Sequence, residues 1–261
     1  MAEMSDYNIQ ELVRKNETVY IKSDFKFIKA HNGFRPGYTH VLLGMTSTGK
    51  TTLVRSILKD MYRAGRIFVW LSEESNESFA GSLATINRLE NVNNIIFESE
   101  VTRQKIPIQQ LKHELELELI NSKAKIFLFD NITTSRLHLG QRFEEQSKNI
   151  MWLKELCIRL KIPFVILAHT KSGLDKSRLL EPDDIRGDKT LSNLAEYFYT
   201  IQRIVVRDKI FTLLHVNKSR YHDGAGKIYK LVYDQAGRYY SCDVEYDFEQ
   251  FKKIYADRNK L

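Results

Sequence analysis

The run Gly44-Met45-Thr46-Ser47-Thr48-Gly49-Lys50-Thr51 constrains this chain more than any other feature. It follows the apolar stretch His40 to Leu43 and opens a segment of helical spacing, Thr51 to Ala64, that stops at Gly65. Its glycines let the backbone turn tightly enough for successive N–H groups to face phosphate oxygens at a helix N-terminus, where the helix dipole also favours an anion. In that setting Lys50 supplies a point charge to the β- and γ-phosphates, and the Thr51 hydroxyl can ligate Mg²⁺. The expected nucleotide cradle is Gly44, Met45, Thr46, Ser47, Thr48, Gly49, Lys50, Thr51 and Thr52. A strand before the loop and a helix after it commit the chain to an α/β fold.

The rest of the pattern agrees. Ile67 to Leu71, Ile126 to Phe129 and Pro163 to Ala168 are short unbroken apolar runs, as expected of strands buried on both faces. Ile108 to Ile120 and Gln146 to Leu160 carry helical apolar spacing between them. The reading is a mostly parallel sheet with helices on both faces. From Tyr197 onward the pattern changes to strands without long helices, at Tyr197 to Ile204, Ile210 to Val216, Lys227 to Tyr233 and Tyr239 to Cys242, with turns such as Gln235-Ala236-Gly237 marking antiparallel hairpins. A charged arm, residues 1–32, with a short amphipathic stretch around Ile9, Leu12 and Val13, is expected before a core of residues 33–244, and a helix or tail over 245–261 after it.

With 261 residues, 43% of them apolar, one substantial core is expected. Lys and Arg outnumber Asp and Glu 40 to 33, a net charge of +7 that suits a polyanionic partner without identifying one. Cys157 and Cys242 sit in no metal-ligand spacing, so a reduced, cytoplasmic setting is expected. No stretch has the length and apolarity of a membrane span, so no membrane partner is expected.

Further chemistry collects where these strands end. Asp130, closing Lys125-Ile126-Phe127-Leu128-Phe129-Asp130, is the carboxylate expected to serve Mg²⁺. Its successor is Asn131, so the base that activates water must come from elsewhere. Ser72-Glu73-Glu74-Ser75 follows another parallel strand on the same edge, and Glu73, with Glu74 as the alternate, is the expected base. His169, after Pro163 to Ala168, is placed to contact a γ-phosphate. Lys218 and Arg220 are two cations at spacing two on an extended segment, so they project to one side, as a pair that stabilises transferring phosphate in a neighbouring subunit would.

Five segments in this order resemble the RecA-like motor domain of ring-shaped replicative helicases, the group containing DnaB, phage primase-helicases and Twinkle. They are Gly33-Phe34-Arg35-Pro36-Gly37, the phosphate loop, Leu71-Ser72-Glu73-Glu74-Ser75, the Asp130 strand and Leu167-Ala168-His169. Asp184-Ile185-Arg186-Gly187-Asp188-Lys189 resembles the segment by which that group follows single-stranded DNA, and Val216 to Tyr221 resembles its Lys-x-Arg element. The resemblance implies a RecA-like P-loop NTPase that hydrolyses ATP with Mg²⁺ at the interfaces of a homo-oligomer, expected as a hexamer, and moves on single-stranded DNA alongside replication proteins. It puts Arg186, Gly187 and Lys189 against DNA, and Lys176 and Arg178 lie in the same basic region. Arg220 takes the finger role with Lys218 beside it. Where those helicases commonly carry a large N-terminal domain, the arm is expected to dock on a neighbouring subunit. The rival reading is a RecA- or KaiC-type ATPase that binds single-stranded DNA or protein without unwinding.

Overall fold

In a computed structural model, nine strands among the described residues form one sheet in the order β3-β2-β4-β5-β1-β6-β7-β8-β9. The structure describes residues 20–61, 65–85, 92–175, 178–206, 209–222, 224–236 and 239–246, with 250 and 253. β1 (Thr39–Gly44), β2 (Ile67–Leu71), β4 (Ile126–Asp130) and β5 (Phe164–His169) fall where unbroken apolar runs place them. Both faces are covered, which is why these runs need no polar alternation. Along each strand side chains alternate between two cores: Leu42, Val69, Leu128 and Val165 face one, and Leu43, Phe68, Phe127 and Ile166 face the other.

The first core is closed by α2 (Lys50–Met61), through Leu53, Val54, Ile57 and Leu58. α3 (Asn76–Ala84) adds Phe79 and Leu83. On the other face lie α4 (Ile108–Ser122) and α5 (Phe143–Leu160), whose Leu111, Leu115, Ile150 and Leu153 repeat at helical spacing. Both helices end at a left-handed lysine, Lys123 and Lys161. A short α6 (Thr190–Leu194) precedes β6 (Tyr197–Val206). β6 is parallel to β1, while β7 (Lys209–Ser219), β8 (Ile228–Asp234) and β9 (Tyr239–Tyr246) are antiparallel, the change of pattern expected after Tyr197.

The register fixes which ends share an edge. Gly44 lies opposite His169, and Leu71 opposite Asp130, so the segments after β1, β2, β4 and β5 all leave the same edge.

Three differences from the sequence expectations have physical causes. β3 (Ile95–Ser99) was not anticipated; as an edge strand it keeps Ile96, Phe97 and Glu98 half-buried, which blurs its apolar signature. Residues 20–32 are not an outlying arm, because Phe25, Phe27, Ile28 and His31 are buried and Phe27 meets the Tyr199 ring at 5.3 Å. This stretch carries only a four-residue helix, α1 (Lys26–Lys29), and aromatics at irregular spacing, so it shows no period to read. Glu245 and Tyr246, expected in the terminal helix or tail, close β9 instead. The stretch around Ile9, Leu12 and Val13 and most of the terminal segment lie outside the described residues. No helix among the described residues is long and apolar enough to cross a membrane.

Candidate nucleotide site

The phosphate loop joins β1 directly to α2. Two of its residues take left-handed backbone angles, Ser47 at φ 64° and Gly49 at φ 97°. Gly49 also has no room for a side chain, since a Cβ there would lie 2.6 Å from the Tyr240 hydroxyl. Tyr240 is held against the loop's helix by its backbone N–H, which donates to Ser56 Oγ at 2.8 Å. The last strand of the sheet thus braces the loop's glycine. Thr48 Oγ1 donates to the Met45 carbonyl at 2.8 Å, closing the turn.

Lys50 is 6% exposed, and its Nζ donates to the carbonyls of Gly44 and Met45, each at 2.8 Å. Burial lowers its pKa to about 8, against the pull of the Asp130 and Glu73 carboxylates. Asp130 is its complement: burial raises its pKa to about 6, while a hydrogen bond from Thr51 and the Lys50 charge act the other way. The Asp130–Asn131 peptide is cis. Through their hydrogen bond Thr51 and Asp130 meet at the foot of the loop, a hydroxyl and one carboxylate. No group of three or more His, Cys, Asp or Glu among the described residues is placed to hold a metal on its own. One hydroxyl and one carboxylate beside a phosphate cradle fit Mg²⁺, a hard cation that keeps water and takes its remaining oxygens from a nucleotide.

The two glutamates are placed differently. Glu74 accepts two hydrogen bonds from Arg55, at 3.0 and 3.2 Å, and one from Ser78 Oγ at 2.9 Å. Glu73 is exposed and lines a cavity of about 340 Å³ together with Lys50, Thr51, Asp130 and His169. His169 Nδ1 stands 3.2 Å from Lys50 Nζ and 3.4 Å from Thr46 Oγ1. Burial lowers the His169 pKa to about 4, helped by the charges of Lys50 and Arg186. Arg203 lines the same cavity and was not anticipated. It lies two residues beyond Ile201, which pairs with Gly44, so only the strand register brings it to the loop.

The expected DNA residues are not gathered alike. Arg186 is exposed and lines a cleft of about 1000 Å³ with Ser47, Glu73, His169 and Lys171. Gly187, at φ 91°, is packed so closely that a Cβ would overlap the His138 ring. Arg178 makes a two-pronged contact with Asp184, and Lys189 Nζ pairs with Asp183 at 2.6 Å. Asp184 and Asp183 thus neutralise two of the cations expected to form a basic cluster. Lys176 lies outside the described residues.

Lys218 and Arg220 lie far from the loop within the chain. Ser219 pairs with Tyr197, which pairs with His40 near the start of β1, so both cations sit at the opposite edge from the loop after Gly44. Lys218 Nζ donates to the carbonyls of Ser192 and Asn193 at 3.0 and 2.9 Å, and Arg220 donates to Asn193 O at 3.0 Å. They hold together as a pair on the end of α6.

The sheet order, the phosphate loop after β1 and the antiparallel C-terminal strands define an α/β protein with the RecA-like fold. No family model matches the chain, and no curated protein does. Among solved structures it is similar to a KaiC-like protein from the hyperthermophilic archaeon Pyrococcus horikoshii, with a TM-score of 0.67 at 14% identity, over 87% of this chain and 100% of that one. The fold expected from the phosphate loop is the one observed.

Proposed function

We propose that the chain is a Mg²⁺-dependent ATPase of the RecA type, working as a homo-oligomer that moves on single-stranded DNA. One observation carries the ATPase reading: Lys50, Thr51, Asp130, Glu73 and His169, from four segments of the chain, line one cavity at one sheet edge. Lys50 neutralises phosphate charge, Thr51 and Asp130 hold the metal, Glu73 orients and deprotonates water, and His169 contacts the γ-phosphate. Mg²⁺, when bound, draws charge from the phosphate oxygens. The oligomer reading is supported by the placement of Lys218 and Arg220 at the sheet edge opposite the loop, where they would reach a phosphate only in another copy.

DNA movement rests on the resemblance to ring helicases and on Arg186 facing the same cleft as His169. A second reading, an ATPase that switches on DNA or protein without unwinding, is supported by the carboxylate partners of Arg178 and Lys189, which occupy cations that the DNA reading needs. Turnover by purified protein, lost in Lys50→Ala, tests the ATPase. A forked-duplex assay separates the two readings: stimulation by single strands without strand displacement at either polarity favours the switch.

A further inference from the structure

We infer that Thr133, oriented by Asn131, is the positioning residue for His169, an inference that rests on the ATPase reading above. Both are buried, Asn131 at 4% and Thr133 at 1% exposure, and neither was assigned a role from the sequence. The His169 backbone N–H leaves the end of β5 and donates to Thr133 Oγ1 at 3.0 Å. Thr133 Oγ1 in turn donates to Asn131 Oδ1 at 2.8 Å. A hydroxyl has one proton, so giving it to Asn131 leaves Thr133 as an acceptor toward His169.

The same logic runs on to the glutamate loop. Asn131 Oδ1 also accepts from Thr134 N at 3.0 Å and Thr134 Oγ1 at 2.9 Å. With its proton committed there, Thr134 Oγ1 accepts from Ser72 Oγ at 2.7 Å. Ser72 Oγ accepts the Asn131 backbone N–H at 3.0 Å, and the Ser72 N–H donates to Asp130 O at 2.9 Å. Ser72 immediately precedes Glu73. One carboxamide oxygen therefore ties the segment carrying Glu73, the segment carrying Asp130 and the segment carrying His169 into a single frame. Asn131 occupies the position after the metal-binding aspartate, and its side chain is spent on this frame rather than on chemistry. A misplacement of about 1 Å in such a frame is enough to slow a reaction by orders of magnitude without weakening substrate binding.

The test uses Thr133→Val, which keeps shape and loses the hydroxyl, and Thr133→Ser, which keeps it. Thr133→Val is expected to lower kcat for ATP at least about tenfold with KM within about threefold, while Thr133→Ser stays within about threefold of wild type. On a His169→Ala background Thr133→Val adds no further loss, because it acts through that residue. Amide hydrogen exchange at His169 is faster in Thr133→Val and unchanged in Thr133→Ser, a readout independent of turnover. Should Thr133→Val not fold, Thr133→Cys, a far weaker acceptor, replaces it in the same comparisons. An unchanged kcat, a loss confined to KM, or a full multiplicative loss in the double variant overturns the inference. Absence of hydrolysis by wild-type protein instead overturns the ATPase reading, leaving the exchange measurement to judge the frame.

Discussion

Lys50 Nζ and His169 Nδ1 are 3.2 Å apart, and an ammonium has only protons to give, so His169 accepts on Nδ1 and carries its own proton on Nε2. The low His169 pKa, about 4, keeps the ring in this neutral form throughout the physiological range. Its Nε2–H is thus a fixed donor for the cavity. His169→Ala is expected to lower kcat about 100-fold with nucleotide affinity within about threefold, as for loss of one transition-state hydrogen bond. Steady-state kinetics alongside direct nucleotide titration check this, and an equal loss in affinity would contradict it.

The two glutamates separate by their partners. Glu74 is occupied by Arg55 and Ser78, whereas Glu73 faces the cavity. Glu73→Gln should cut kcat by about 100-fold or more, and Glu74→Gln should cost about 1 kcal/mol of stability or less with turnover largely kept. Paired turnover and thermal-unfolding measurements on both variants decide between them; the reverse pattern assigns the base to Glu74.

Nucleotide binding should depend on pH through Asp130 and Lys50. Burial raises Asp130 to about 6 and lowers Lys50 to about 8. Cation binding needs Asp130 ionised, so affinity for Mg-nucleotide falls as pH drops below about 6. Phosphate binding needs Lys50 protonated, so affinity falls again above about 8, each limb approaching about tenfold per pH unit. Asp130→Asn should abolish the acid limb and leave the alkaline one. Fluorescent-nucleotide titrations between pH 5 and 9 measure both.

Stability has its own pH dependence, seated at the other edge of the sheet. Burial holds His31 down to about 4 and His40 well below its ordinary value, the mutual field of the neighbouring His222, Lys227 and Lys154 adding to it. The Nε2 atoms of both rings have no hydrogen-bond partner among the described residues. Above about pH 6.5 both histidines are neutral folded or unfolded. As pH falls from there toward 4, the unfolded chain takes up protons that the folded chain refuses, so stability is lost over that window, up to about 3 kcal/mol for His31. His31→Phe, which keeps the packing on Tyr197, should flatten this acid limb. Urea midpoints at pH 7.5 and 4.5 provide the comparison.

Much of this was legible because covalent spacing sets it. The loop from Gly44 to Thr51 and the strand ending at Asp130 are contiguous, and β1, β2, β4 and β5 announce themselves by unbroken apolar runs. What was illegible depends on register between distant strands. Arg203 reaches the cavity because β6 lies beside β1, and Thr133 meets His169 because β4 lies beside β5. Asp183 and Asp184 show a different failure. A basic cluster read along the chain carries no sign of the carboxylates that a short turn brings back to it. Residues 20–32 were misread because their burial comes from aromatic contacts with β6 and β8, not from any period of their own.

The separation of Arg220 from Lys50 across the sheet makes the proposed composite site testable by mixing. Under the proposed function, Lys50→Ala removes the phosphate cation from a subunit's own loop, and Arg220→Ala removes the finger proposed to reach a neighbour. Each variant alone should lose turnover. If sites form between copies, mixed oligomers pair the intact loop of an Arg220→Ala subunit with the intact Arg220 of a Lys50→Ala subunit. Random assembly at equal amounts makes about a quarter of interfaces whole, so about a quarter of wild-type turnover should return on mixing. The assay must also show that the variants exchange subunits, by a labelled-subunit pull-down. Exchange without recovered turnover would place Arg220 outside the reaction and leave its bond to Asn193 as its work.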